Sequence, residues 1–291
     1  MKKTFSALIT CFIAMTMAFP VSGQDLHLDR TLMSRMIKDT SFKIVPGVTE
    51  TNLRYLNTAG KPMAVYILRV NLKLKHHPLS IEATTPFNRD TFCRQTVMEQ
   101  MKWENTPGHK VVAGVNAGFF NMKNGEPITM EIKEGKKLKD AVHTGRGFVG
   151  VLKNGKIIIG DSLLYERKKK KLKGALGGYP MLVKDGKPLP QLHDKFSLTR
   201  HPRTAAGITR KGQVFFVVVD GRQPAYGNGM PLEELAHLMT LLGARKAINL
   251  DGGGSSTMVT ADTQTGKWIN RNKPSGKRER AVANAWIVVS K

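Results

Sequence analysis

The sequence predicts an α+β fold: a mixed β-sheet core with helices, forming a single domain that contains a βαβ unit. Three observations predict it. Residues 213–219 are a continuous apolar run of strand length, residues 232–242 repeat apolar side chains at helical spacing, and residues 247–250 are a second short apolar run. A strand, a helix and a strand joined by short connections make a βαβ unit whose two strands run parallel. Asp220-Gly221 follows the first strand and Asp251-Gly252 the second. Both aspartates are therefore expected at one edge of the sheet, where open α/β sheets bind ligands.

From the N-terminus, residues 1–23 have the pattern of an export signal. Lys2 and Lys3 precede an apolar stretch over 5–19, and Val21-Ser22-Gly23 places small residues at the expected cleavage position. The stretch is too short for a membrane span. No other segment is apolar enough, so the expectation is a secreted or periplasmic protein with no transmembrane anchor. Cys11 leaves with the leader, and Cys93 alone cannot form an internal disulfide. Residues 24–62 are weakly periodic and are set apart as an N-terminal extension, leaving 63–291 as the main domain.

Over 63–75, Leu68, Val70, Leu72 and Leu74 alternate with Arg69, Asn71, Lys73 and Lys75, which predicts a half-buried strand. Residues 111–115 predict another, running into Asn116-Ala117-Gly118. Asn154-Gly155 and Asp185-Gly186 sit between apolar runs as hairpin turns do. Residues 205–209 predict a strand that turns at Arg210-Lys211-Gly212 into the run at 213–219, whose lack of alternation predicts burial on both faces. Pro231 suits a first helical residue. Leu232, Leu235, Ala236, Met239 and Leu242 form the apolar stripe, and Gly243 ends the helix.

The 46 basic and 22 acidic residues give a net charge of +24, lowered to +22 once Lys2 and Lys3 are lost. Such a field favours anionic partners. Export argues against nucleic acid and points to a phosphorylated glycan or the cell envelope. The basic run over 167–173 reads as a solvated loop.

Chemistry concentrates in Asn249-Leu250-Asp251-Gly252-Gly253-Gly254-Ser255-Ser256-Thr257. Glycines admit a ligand to the backbone and successive N–H groups can form an anion nest, while Asp251 supplies a base, nucleophile or metal ligand. A tight structural turn accounts for the same residues. No Gly-Lys-Ser/Thr phosphate loop, Gly-x-Ser-x-Gly elbow or His-Glu-x-x-His zinc motif is present. Asn116-Ala117-Gly118-Phe119-Phe120 follows another strand, with an amide for sugar or phosphate oxygens and two phenylalanines as a pocket wall. Arg203 and Arg280 are candidate phosphate clamps, and His143 and His201 candidate acid–base groups.

These segments, with Pro202-Arg203-Thr204-Ala205-Ala206-Gly207, Val219-Asp220-Gly221-Arg222 and the late Arg280-Ala281-Val282-Ala283-Asn284-Ala285, resemble the phosphodiester glycosidase family over residue 63 to the C-terminus. The resemblance implies a catalytic domain that hydrolyses a sugar-1-phosphodiester. Asp251 would be nucleophile or general base, and Asp220 its partner or a ligand of a sugar hydroxyl. Arg203 with Arg280 would hold the phosphate, helped by Ser255, Ser256 and the N–H groups of Gly252 and Gly253. Asn116 would orient the sugar, with Gly118, Thr204, Gly221 and Arg222 lining the site. No cofactor is predicted. Two other readings stay open: a non-catalytic binder of anionic polysaccharide or an exopolysaccharide-biosynthesis protein, and a phosphodiesterase holding Mg²⁺ or Ca²⁺ on Asp220 and Asp251, for which no third convergent carboxylate is evident beyond Glu131 as a candidate. The sequence assigns no oligomeric state.

Overall fold

The structure is a computed structural model that describes residues 30–291. The leader, its cleavage site and Cys11 lie outside the described residues. The chain begins with β1 (Met33–Val45), β2 (Val48–Asn57), β3 (Pro62–Val70) and β4 (Leu79–Thr84), followed by α1 (Val97–Glu104) and β5 (Lys110–Asn116). Next come β6 (Glu131–Lys133), β7 (Lys136–Lys139), β8 (Gly147–Leu152), β9 (Ile157–Asp161), α2 (Ser162–Lys168) and β10 (Leu172–Gly178). Then follow β11 (Met181–Lys184), β12 (Lys187–Pro188), α3 (Lys195–Leu198), β13 (Arg203–Thr209), β14 (Val214–Val219) and α4 (Leu232–Leu241). The last elements are β15 (Ala244–Asn249), β16 (Met258–Ala261), β17 (Trp268–Asn270) and β18 (Ala285–Ser290).

Among the described residues these strands form three sheets. The largest has the order β1-β2-β3-β14-β13-β15-β11-β12, and two five-stranded sheets run β7-β6-β10-β8-β9 and β17-β16-β5-β18-β4. The periodicity of β14 explains the layering. Val214, Phe216 and Val218 enter the core shared with the smaller sheets, while Phe215, Val217 and Val219 enter the core under α4. Both faces of the strand are buried, as its unbroken apolar run requires. Leu232, Leu235, Ala236, Leu238 and Met239 bury the apolar stripe of α4, and Gly243 closes the helix with φ +84°. Pro231 caps this helix from outside rather than beginning it.

The βαβ expectation meets a different topology. Strands β14 and β15 point the same way, because β13 lies between them and pairs antiparallel with both. The hairpin turn at 210–212 puts β13 on one flank of β14, and β3 occupies the other. β15 therefore docks on the far side of β13. The two Asp-Gly steps still share a sheet edge, separated by two strand spacings, about 10 Å.

Two further expectations differ from the structure. Residues 33–57, set apart as extension, form β1 and β2, and β2 pairs with β3 along its length. β2 buries Val48 and Glu50 on one face and Thr51, Leu53, Tyr55 and Asn57 on the other, so polar side chains mask its apolar period. Glu50 is held inside by Thr260 at 2.6 Å and Arg271 at 3.1 Å. Strand β3 ends at Val70 and is buried on both faces over 63–68 rather than half-buried. The alternation begins at the end of β3, where Leu68 and Val70 are buried, and continues over 71–75 in its partly exposed exit. No helix among the described residues is long and apolar enough to cross a membrane.

Candidate active site

The glycine loop leaves β15 at the sheet edge. Asp251 is tied by its backbone, its N–H donating to the Ala117 carbonyl at 2.8 Å and its carbonyl accepting from the Asn116 amide at 2.6 Å. The carboxylate is thus held at the junction of two sheets, on a half-buried loop. Burial raises its pKa to about 6, against the Ser255 hydroxyl, the Arg280 guanidinium and the Gly252 N–H, all of which favour the charged form. The Ser255 hydroxyl lies beside the carboxylate without a well-formed hydrogen bond. Arg280 lies flat on the loop: a Cβ on Gly254 would run into its guanidinium. The missing side chain at Gly254 leaves room for the cation beside Asp251.

The loop is not the open anion nest expected from its glycines. Gly253 N–H donates to Pro202 O at 2.8 Å, Ser255 N–H to Gly252 O at 3.1 Å, Ser256 N–H to Gly253 O at 3.3 Å and Thr257 N–H to Asn116 Oδ1 at 3.0 Å. A short 3₁₀ turn over Gly253–Ser255 consumes the Ser255 and Ser256 donors, while Pro202 and Asn116 take those of Gly253 and Thr257. The hydroxyls of Ser256 and Thr257 are buried without partners.

Several predicted ligand-facing residues instead build the frame. Asn116 is fully buried. Its Oδ1 accepts from the Thr204 hydroxyl at 2.8 Å as well as from Thr257 N–H, and its amide holds Asp251. Sugar contact is therefore not its role in this geometry. Arg203 is 2% exposed, and its guanidinium donates to the carbonyls of Met230, Phe196 and Thr199 at 2.7–3.0 Å. Burial, then the nearby Arg222, lower its pKa to about 10. It anchors the loop over 196–202 rather than gripping phosphate from the surface. Arg200 reinforces that loop with a paired contact to Glu234 of α4 at 2.6 and 2.9 Å.

Asp220 is 1% exposed. Asn272 donates to one carboxylate oxygen at 2.9 Å and Lys273 N–H to the other at 2.8 Å. Burial raises it to about 6 against these donors. Asn272 also reaches Ser256 O at 3.0 Å, so Asp220 props the glycine loop from behind. Gly221 permits close packing there, since a Cβ would sit 2.8 Å from Pro202 N and from Gly229 Cα. We expect Asp220→Asn to cost about 1–3 kcal/mol, because the new amide faces Lys273 N–H, and to leave kcat within about tenfold. A denaturation curve with initial rates checks this; a rate loss matching that of an Asp251 variant would make Asp220 a reacting group.

Cations and rings complete the edge. Arg222, exposed with φ +61°, lies against Gly253 and approaches His201 Nδ1 at 3.5 Å. Burial, then Arg203 and Arg222, hold His201 below the usual histidine range. Phe119, Tyr179 and Phe196 are half-buried and in ring contact. Arg146 stands 4.7 Å above Tyr179 and 5.6 Å above Phe119. Phe120, expected beside Phe119 in the pocket wall, is in the core. His143 is exposed. The half-buried Cys93 thiol is raised by burial, the reverse of an activated nucleophile.

Two residues outside the expected binding set organise Gly118. The Asn284 carbonyl accepts Gly118 N–H at 2.7 Å, and its amide donates to Glu131 at 2.8 Å. Burial raises Glu131 to about 7. Asn284 was visible only as part of the late motif, and Glu131 only as an isolated carboxylate. Among the described residues no group of three or more His, Cys, Asp or Glu side chains could hold a metal ion, and both oxygens of Asp220 already accept N–H donors.

The sequence model of the phosphodiester glycosidase family matches residues 109–289. The cattle N-acetylglucosamine-1-phosphodiester alpha-N-acetylglucosaminidase is 29% identical over 167 residues, 51% of this chain and 31% of that protein. The human protein of that name is 27% identical over 167 residues, 51% of this chain and 32% of that protein. This chain thus matches about a third of their length. The zebrafish catalytic domain of that name, auto-inhibited by its pro-peptide, superposes with a TM-score of 0.64 at 18% identity, over 87% of this chain and 88% of that one. A hypothetical protein from Synechocystis gives 0.64 at 14%, over 88% and 64%. The match runs from ahead of β5 into β18 and takes in Asn116, the glycine loop and Asn284: this chain belongs to the phosphodiester glycosidase family.

Proposed function

We propose that the protein hydrolyses a sugar-1-phosphodiester, such as a GlcNAc-1-phosphodiester, by breaking the bond between sugar C1 and oxygen. The observation that carries this is the Asp251 carboxylate on a glycine loop with Arg280 laid across Gly254 beside it. A carboxylate and a fixed guanidinium meet the two needs of the reaction. The carboxylate acts at C1 as nucleophile or as base for water, while the cation stabilises the departing phosphate. That leaving group is a weak base and calls for little protonation. Arg222 adds positive charge at the rim, and the Phe119–Tyr179–Phe196 wall offers ring faces to the sugar. Asn116, Thr204, Arg203 and Asp220 act as positioning residues. Glu131, through Asn284, positions Gly118.

The substrate fits a phosphorylated glycan met outside the cytoplasm, in keeping with the leader pattern and the charge of +24. Purified protein should release free sugar and a phosphomonoester from a GlcNAc-1-phosphodiester. Binding of the intact compound without turnover would favour the non-catalytic reading. The pH dependence is a second check. Asp251 must be ionised to react, so kcat/KM should rise with pH and level off above about 6. The phosphodiester does not titrate in this range. A profile flat from mildly acid to neutral pH would remove Asp251 from the chemistry.

A further inference from the structure

A cavity of about 840 Å³ lies away from Asp251. It opens at the other end of β13 and β15, between the β8–β9 and β13–β14 hairpin tips, roughly 15–20 Å from Asp251 by strand rise. Leu72, Ile158, Leu164 and Ile208 line it, each half-buried. They bridge two hydrophobic clusters, Leu72 and Ile208 packing on one and Ile158 and Leu164 on the other. Around this aliphatic floor stand Lys73, Lys156, Arg210, Lys211 and Lys246. Asp185 also lines the cavity and lies 3.6 Å from Arg245.

We propose that this cleft binds the head of an anionic phospholipid, with the first part of an acyl chain against the floor. The rim is complementary to a phosphate. No aromatic residue lines the cleft, so it lacks the ring faces on which sugars stack. Leu and Ile side chains instead suit an alkyl chain, whose burial contributes about 0.8 kcal/mol per CH₂. The cleft and the glycine loop lie at opposite ends of the same strands, so a protein held by the cleft at an anionic bilayer would keep Asp251 turned away from it, toward soluble or extended substrate.

The test is sedimentation of the full chain with phosphatidylglycerol and phosphatidylcholine vesicles. Titration with a short-chain phosphatidylglycerol below its micelle concentration, and with inorganic phosphate, separates lipid from free anion. Binding to phosphatidylglycerol alone is expected. The triple variant Lys156→Glu/Arg210→Glu/Lys211→Glu, all at exposed turn positions, should weaken it about 100-fold or more. Ile158→Asp should abolish binding of the short-chain lipid. A charge-matched triple elsewhere, Arg94→Glu/Lys102→Glu/Lys277→Glu, should change binding about twofold at most. Equal losses in the two triples would show diffuse charge attraction and overturn the proposal. So would inorganic phosphate binding as tightly as the short-chain lipid. Melting curves matching the parent show that each variant is folded, and Asp251→Asn should bind lipid like the parent.

Discussion

Replacing Asp251 with asparagine is expected to lower kcat for sugar release by about 10²- to 10⁴-fold while leaving the protein at least as stable near neutral pH. The two effects come from one environment. Burial lifts the carboxyl from its ordinary 3.8 to about 6. The native state therefore holds this proton more tightly than the unfolded chain does. The associated stability is full below pH 3.8 and is lost as pH rises through 6. At neutral pH the charge is a cost that asparagine removes, roughly 1–2 kcal/mol after allowing for the half-buried setting. Arg280 offsets part of that cost, so removing its partner limits the gain. Initial rates and melting temperatures of parent and variant measure both. A variant that is inactive and also several kcal/mol less stable would mean that Asp251 holds the fold together rather than acting in the site.

Asn116→Ala is expected to be the most damaging change in the frame. It removes two hydrogen bonds at Oδ1 and one from the amide. Thr204 Oγ1, Thr257 N–H and Asp251 O would be left buried without partners. At about 1–3 kcal/mol for each unsatisfied group, a loss of about 3–5 kcal/mol is expected, with activity falling as the Asp251 loop loosens. Thr204→Val removes one bond of the set and should cost about 1 kcal/mol. The double variant should cost less than the sum, because both report on one network. Additive losses would show that the two residues act separately.

These outcomes bear on how much of the molecule was legible in the sequence. β14 was legible as an unbroken apolar run of strand length, and α4 because its apolar side chains recur at helical spacing. The strand β2 was not, since Glu50 is buried on partners distant in the chain, Thr260 and Arg271, and Asn57 is buried holding the turn amides of Ala59 and Lys61. The position of β13 between β14 and β15 is a choice among sheet neighbours. Periodicity identifies strands without ordering them.

Site motifs were easier to find than their roles. Asn116, Thr204, Arg203 and the glycine loop do gather where the edge of the largest sheet meets the end of β5. Whether such a polar side chain faces a ligand or a neighbouring carbonyl depends on packing that spacing does not encode. Arg203 shows this most clearly: a residue type suited to phosphate is used here to tie Met230, Phe196 and Thr199. Arg280, far along the chain, is the cation that reaches Asp251.

Hydrolysis of a GlcNAc-1-phosphodiester in ¹⁸O-labelled water tests the central claim most directly, because it reports which bond breaks. Cleavage between C1 and oxygen at Asp251 puts the label in the C1 hydroxyl of the released sugar and leaves the phosphomonoester unlabelled. Label in the phosphomonoester and none in the sugar would mean attack at phosphorus, contradicting the glycosidase assignment and the role given to Asp251.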